Sequence, residues 1–146
     1  MIVFCDTSAL VKLYVQEEFS HEVRGLAAGA KALAVSRISW AETMATLARR
    51  VRESPIDAQV IETVRTRFRN DWSNFAIVEF TQALVELAGD YADTFALRGY
   101  DSVQLAAAQI LKAGASEAFC FACFGTRLQK RSKRAGHSDF GGALGD

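Results

Sequence analysis

The 146-residue chain lacks a long hydrophobic run and has no net charge, although half of its residues are hydrophobic. Charged residues interrupt every apolar stretch well before the roughly 20 residues that a membrane-spanning helix needs, so no such helix is predicted. Seventeen Lys and Arg residues balance seventeen Asp and Glu residues. The molecule as a whole therefore has no electrostatic bias towards a polyanion, and any contact with nucleic acid has to be local.

Cysteine is also scarce, and the three that occur form an odd set, which argues against a disulfide framework. Cys120 and Cys123 form a CxxC, but a structural zinc site usually needs a full tetrahedral set of ligands, and only Cys5, His21 and His137 remain as candidates. The pair lies within AFCFACF, which favours core residues of a strand over a redox site. The N-terminus lacks the basic region and cleavage site of a signal peptide, so we expect a reduced, cytoplasmic protein.

Short β-rich runs alternate with helical stretches along the chain. The predicted strands are IVFC, ALAVS, FAIVEF and EAFCFACF, and segments with helical apolar spacing separate them. This alternation indicates βαβ units, a mostly parallel central sheet and a three-layer α/β/α sandwich. Residues 1–136 are predicted to form this single domain, and residues 137–146 a glycine-rich C-terminal tail.

Capping signals predict where the helices begin. Asp6 is expected to start the first helix, Ser20 to cap the second, and Ser39 with Glu42 to form an S-x-x-E capping box at the third. The only proline, Pro55, suits the first turn of an amphipathic helix. The apolar stripe of that helix is predicted to consist of Ile56, Val60, Ile61, Val64 and Phe68. Thr81 is expected to open a later helix, and another begins at or near Asp101.

Three acidic residues stand far apart in the sequence, each where a helix is predicted to begin. Asp6 follows IVFC, Glu42 lies in SRISWAET, and Asp101 lies in LRGYDSVQLAAA. Ligand sites of open α/β sheets gather at the carboxyl ends of the strands, so the acids converge if their helices start at that edge. Two carboxylates about 4 Å apart repel by roughly 4 kcal/mol at an effective dielectric of about 20, which raises their pKa values or attracts a cation.

A divalent cation such as Mg²⁺ or Mn²⁺ is the simplest occupant of an acidic cluster of this kind. Hard oxygen ligands and room for water suit these ions, which can activate water for displacement at phosphorus. Each acid also has a structural explanation: Asp6 as an N-cap, Glu42 as the returning half of the capping box, and Asp101 as a charge placed favourably on a helix dipole. From the residues alone, both readings stay open.

The three acidic segments, taken together, resemble the PIN domain family, in particular the VapC toxins of toxin–antitoxin pairs. FCDTSALVKLY resembles the opening D-T-S/N motif, SRISWAETMATLARR the second motif with its Glu, and LRGYDSVQLAAAQIL the third, an Asp followed by a helix of small residues. The resemblance implies a PIN-like fold and metal-dependent endonucleolytic cleavage of RNA. It also implies that Asp6, Glu42 and Asp101 are catalytic ligands of Mg²⁺ or Mn²⁺, assisted by the hydroxyl of Thr7 or Ser8.

The resemblance further implies a homodimer and a small antitoxin whose tail covers the acidic groove. The chain departs from the family at the fourth motif, T-x-D-x-x-L, because CFGTRL places Gly125 at the position of the Asp. Thr126 offers an assisting hydroxyl and Cys123 a thiol, but neither replaces the charge of a carboxylate. The alternative function is therefore a degenerate PIN domain that binds antitoxin or RNA without cleaving it.

A concentrated basic run, TRLQKRSKR, follows the fourth predicted strand. We expect it to bind RNA phosphates, although a charge run of this kind also fits a solvated helix face. The expected RNA-binding residues are Arg127, Lys130, Arg131, Lys133 and Arg134. A phosphatase or a phosphoacceptor receiver domain would need a second acid near Asp6, and Ser8 stands at the position that the phosphatase motif requires.

Overall fold

A parallel sheet forms the centre of the protein. The structure, a computed structural model, describes residues 1–124. Within these residues four strands pair in the order β3-β2-β1-β4, and all of the pairs are parallel. The strands are β1 (Ile2–Cys5), β2 (Ala32–Ser36), β3 (Ala76–Val78) and β4 (Phe119–Ala122). The parallel sheet that the alternating pattern predicts is therefore confirmed.

Helices connect the strands and cover both faces of the sheet. They are α1 (Thr7–Tyr14), α2 (Ser20–Ala28), α3 (Ser39–Glu53), α4 (Ala58–Asp71), α5 (Gln82–Phe95) and α6 (Gly99–Gly114). Two short 3-10 helices, Pro55–Asp57 and Trp72–Asn74, flank α4. Within residues 1–124, none of the helices is long and apolar enough to cross a membrane.

The alternation of side chains along β1 divides the core into two layers. Val3 and Cys5 point to a cluster formed with α1, α3 and α4, whereas Phe4 points to a cluster formed with α5 and α6. Successive residues of a strand face opposite sides of the sheet, and all three side chains are almost completely buried. The three-layer α/β/α sandwich is confirmed.

Two of the predicted helix starts are confirmed by hydrogen bonds. Asp6 caps α1 by accepting from the Ala9 N–H at 2.9 Å, and Thr81 caps α5 by accepting from the Leu84 N–H at 3.2 Å. The prediction for Ser20 is wrong. Phe19, in a left-handed conformation with φ 67°, precedes α2, and the Ser20 hydroxyl donates to the Val15 carbonyl and accepts from the Glu17 N–H. Ser20 therefore ties down the preceding loop instead of capping the helix.

The predicted apolar stripe of α4 is only partly correct. Ile61, Val64 and Phe68 are buried against the sheet, but Ile56 and Val60 remain 91% and 64% exposed. Pro55 begins a separate 3-10 turn, so Ile56 lies outside the regular helix and does not share its buried face. The three cysteines are buried and form no disulfide within residues 1–124, as the prediction of small core residues requires.

Several predictions concern residues 125–146 and lie outside the described residues. They are the role of the basic run TRLQKRSKR, the domain boundary at residue 136 and the glycine-rich tail. The expected site residues Thr126, Arg127, Lys130, Arg131, Lys133 and Arg134 lie there as well, together with Gly125.

Phe68 is predicted to be a main stabilising residue of the layer that holds α1 and α3. Its fully buried ring lies 5.4–5.5 Å from the rings of Tyr14, Trp40 and Trp72. We expect Phe68→Ala to lower the free energy of unfolding by about 3–5 kcal/mol, because it removes buried contacts and leaves a cavity. Urea denaturation measures the loss. The half-exposed Phe80 provides the control, and equal losses in Phe80→Ala and Phe68→Ala would contradict the prediction.

Candidate active site

Asp6 lies at the carboxyl end of the central strand and is only 5% exposed. Its Oδ1 atom accepts hydrogen bonds from the Ser8 hydroxyl at 2.6 Å and from the Ala9 N–H at 2.9 Å. The strand and the first turn of α1 thus fix this carboxylate at the edge of the sheet where ligand sites of α/β proteins form.

The pKa of Asp6 is raised from its ordinary value of 3.8 to about 7. Burial is the main cause, because it removes water from the charged form. The hydrogen bonds from Ser8 and Ala9 lower the pKa, but the negative charges of Asp101 and Glu42 raise it further. Asp6 is therefore a carboxylate whose charge is not fully compensated by the surrounding protein.

Glu42 lies in the first turn of α3, but it does not form the predicted capping box. The helix begins at Ser39 itself. The residue at the N-cap position is Ile38, and no side chain makes a capping hydrogen bond there. The Glu42 carboxylate instead accepts from the Thr7 hydroxyl at 3.1 Å and from the Gln104 amide at 2.9 Å. The capping-box prediction is wrong because the side chains of Ser39 and Glu42 form hydrogen bonds with residues distant in sequence.

The pKa of Glu42 is also raised. Burial is again the main cause, the hydrogen bonds from Gln104 and Thr7 lower the pKa, and the charge of Asp101 raises it. Asp101 lies in the first turn of α6 and is partly buried. The charge of Asp101 raises the pKa of both Asp6 and Glu42, so the three acids that the sequence singled out interact electrostatically.

Gln104 is the member of this site that the sequence reasoning missed. It is 2% exposed, and its Nε2 atom lies 2.9 Å from Glu42 Oε1, 3.0 Å from Ser39 Oγ and 3.2 Å from Thr7 Oγ1. A polar residue between Val103 and Leu105, one helical turn after Asp101, is the signal that could have revealed it. This amide joins α6 to both α1 and α3.

The hydroxyl groups of Thr7 and Ser8 also belong to the site. Thr7 donates to Glu42 and lies 3.3 Å from the Ser39 hydroxyl. Ser8 donates to Asp6 and accepts from the Phe124 N–H at 3.1 Å, which ties the segment after β4 to the acidic region. Within residues 1–124, no three acidic, histidine or cysteine side chains are close enough to form a ready-made metal cage.

The fold and the site together define a class: an α/β protein whose acidic residues meet beyond the carboxyl end of a central parallel strand. The PIN domain family matches residues 3–129, which is most of the chain. The chain therefore belongs to the PIN domain family.

Relatives of known structure and curated relatives agree with this assignment. Ribonuclease VapC45 and Ribonuclease VapC49, from two strains of Mycobacterium tuberculosis, are each 33% identical over 107 residues, which cover 73% of this chain and 74% of theirs. The fold is similar to that of M. tuberculosis VapC20, a sarcin–ricin loop cleaving toxin, with a TM-score of 0.64, 17% identity and coverage of 88% and 94%. The toxin–antitoxin complex from Klebsiella pneumoniae gives a TM-score of 0.61 at 21% identity, with coverage of 85% and 87%.

Gln104→Leu is predicted to raise the pKa of Glu42 further, because the substitution removes a hydrogen-bond donor from a partly buried carboxylate. We also expect the free energy of unfolding to fall by about 1–3 kcal/mol, since the acceptors on Glu42, Ser39 and Thr7 lose this partner. Carboxyl NMR titration and urea denaturation measure the two effects. Gln109→Leu, on another face of the same helix, is the control, and identical behaviour of both variants would refute the role of Gln104.

Stability without divalent cations is predicted to depend on the ionisation of Asp6. Its folded-state pKa of about 7 lies above the ordinary 3.8, so the folded protein holds this proton more tightly than the unfolded chain does. The resulting stabilisation is complete below the ordinary pKa and is lost as the pH rises through about 7.

Melting temperatures measured in chelator from about pH 5 to about pH 8 test this dependence. They should fall less steeply for Asp6→Asn than for the unmodified protein. The exposed Asp93 gives the control variant Asp93→Asn, which should keep the full slope. Parallel curves for Asp6→Asn and the unmodified protein would show that Asp6 ionises normally.

Proposed function

We propose that this protein is a metal-dependent endoribonuclease and the toxin component of a toxin–antitoxin pair. The observation that carries the proposal is the convergence of Asp6, Glu42 and Asp101 beyond the carboxyl end of β1 in a PIN domain. Curated relatives named ribonucleases support an action on RNA, and the solved toxin–antitoxin complexes with the same fold support the toxin role.

The residues fit a hard divalent cation, Mg²⁺ or Mn²⁺. Their donor atoms are carboxylate oxygens, and the pKa values of Asp6 and Glu42 are raised first by burial and then by the negative charge of the neighbouring acids. No three such side chains form a metal-binding group within residues 1–124, so water would complete the shell of an ion that these acids share, as is usual for Mg²⁺. Asp6, Glu42 and Asp101 would hold the ion.

The chain's own residues would prepare the site for hydrolysis. A bound Mg²⁺ or Mn²⁺ supplies Lewis acidity and lowers the pKa of water for attack on phosphorus. Ser8 and the Ala9 N–H orient the Asp6 carboxylate, and Thr7 with Gln104 orients that of Glu42. The hydroxyl of Thr7 or Ser8 would also position a water molecule, and Thr126 would assist. This rigid arrangement places negative charge where a cation and a phosphodiester have to meet.

The proposal includes the partners that family membership suggests. They are an RNA substrate, a small antitoxin protein and a second copy of the chain in a homodimer, in the cytoplasm. The residues proposed to hold RNA along the C-terminal basic run are Arg127, Lys130, Arg131, Lys133 and Arg134. Phosphate binding there would be electrostatic and sensitive to salt.

A second candidate function follows from Gly125, which replaces the fourth family acid. With one anionic ligand fewer, the site would bind metal less tightly, and the protein would be a binding module for antitoxin or RNA. Three acids still provide enough oxygen ligands for one Mg²⁺ ion, which is why cleavage remains the first proposal.

Cleavage of a mixed RNA pool by the purified protein is expected with Mn²⁺ and not with chelator. Asp6→Asn and Asp101→Asn should each reduce the rate on the order of a hundredfold or more, because each removes a carboxylate that would hold the cation. Gel analysis of the products measures the rate, and circular dichroism checks the fold.

The control for surface charge is Asp93→Asn, at an exposed position of α5. It should cleave at the unmodified rate. Full activity in both site variants would contradict the proposed ribonuclease mechanism. RNA binding without any cleavage by the unmodified protein would establish the binding module instead.

A further inference from the structure

A groove of about 560 Å³ opens beside the acidic site. Its lining includes Thr7 and Ser8, which hold Glu42 and Asp6, together with Arg49 and Arg50. Glu17 also lines it, as do Glu53, Ser54 and Asp57 around the start of the 3-10 helix. The groove therefore leads away from the acidic residues along α3.

Helix geometry explains why Arg49 lines this groove. Glu42, Thr46, Arg49 and Glu53 follow one another at helical spacing, so they form one ridge of α3. Arg49 stands about 10 Å from Glu42 along the helix axis, because each residue rises about 1.5 Å. A group bound by Arg49 would consequently lie next to the reacting part of a substrate, not on it.

The lining of the groove contains two cations, Arg49 and Arg50, and three acids, Glu17, Glu53 and Asp57. Glu17 accepts from Lys12 at 2.9 Å and also pairs with Arg50, so two cations share this single carboxylate. Arg49 is exposed and forms no ion pair with any residue in 1–124. The exposed Glu53 lies one turn further along α3 than Arg49, and the exposed Asp57 lies beyond the end of that helix. Arg49 is therefore the lining cation that no acid in residues 1–124 pairs with, whereas Arg50 shares Glu17 with Lys12.

We propose that this groove binds the backbone of the RNA substrate and that Arg49 contacts a phosphate next to the scissile one. The inference rests on the ribonuclease function proposed above and identifies where the substrate would bind beside the acidic site. A guanidinium group matches a phosphate with paired, charge-assisted hydrogen bonds, and the Arg49 group forms no ion pair within residues 1–124. Arg50 is fixed by Glu17 and adds positive charge at a set position.

The chain offers a matched pair of arginines for the test. Arg49 and Arg52 are both exposed on α3, but only Arg49 lines the groove. Binding of a fluorescently labelled single-stranded RNA to Asp6→Asn protein, in Mg²⁺, isolates affinity from cleavage. Adding Arg49→Ala should weaken binding about tenfold, the effect of one lost charge-assisted hydrogen bond. Adding Arg52→Ala should leave the affinity unchanged.

The salt dependence separates a phosphate contact from a structural effect. Between about 50 and 200 mM salt, Arg49→Ala should lower the slope of log affinity against log salt by about 0.7, the value for one phosphate on a single strand. Arg49→Lys keeps the charge and should keep the slope. In the cleaving protein, Arg49→Ala should raise KM more than it lowers kcat, because Arg49 contacts a part of the substrate that is remote from the reacting bond.

Equal affinities and salt slopes for Arg49→Ala and Arg52→Ala would overturn this inference and leave the groove to a protein partner. The proposed ribonuclease function would stand in that case as long as the unmodified protein cleaves RNA. If the unmodified protein neither binds nor cleaves RNA, the proposed function fails and this inference fails with it.

Discussion

The buried amide of Gln104 is the contact on which the acidic site depends. Thr7, Ser39 and Glu42 belong to helices that pack on one face of the sheet, whereas Gln104 belongs to α6 on the other face. Side chains from opposite layers can meet only where the sheet ends, and β1 ends at the residue before Asp6. The hydrogen bonds of Gln104 therefore join the two helical layers at the point where the acids converge, so packing and site geometry are set by the same contacts.

The converging acids place an electrostatic cost on this arrangement. Asp6 and Glu42 each receive two hydrogen bonds, yet burial and neighbouring negative charge still raise both pKa values. The fold thus holds carboxylates that would ionise more readily in water, and packing of the two cores supplies the compensating stability. Protons and cations then compete for the same oxygens, since a metal ligand has to be deprotonated. A cation is therefore expected to bind this site more tightly at neutral or higher pH than in acid.

The sequence predicted the layers and Asp6 because both follow from local patterns. Short β-rich runs define the strands, and an acid directly after a buried strand lies at the carboxyl edge whatever the rest of the chain does. Gln104 and the true role of Ser39 depend on contacts 65 residues apart, which no local pattern encodes. The same limit explains the wrong capping box, since the S-x-x-E spacing is present but both side chains have partners in other helices. The apolar stripe predicted for the helix after Pro55 is wrong at Ile56, because Pro55 starts a separate 3-10 turn.

The zero net charge of the chain conceals a local separation of charge along α3. Glu42 lies at the start of this helix, beside Asp6 and Asp101, and Arg49 and Arg50 follow two turns later on the groove. The carboxylates, without a bound cation, would repel an RNA phosphate, whereas the arginines would attract it. The arginines alone could therefore not hold a phosphodiester next to the acids. A cation bound by the carboxylates would remove the repulsion, while the arginines would fix the neighbouring phosphate. Metal and substrate binding would then reinforce each other. The metal would neutralise the carboxylates that repel the RNA, and the RNA phosphate would neutralise the arginines that repel the metal.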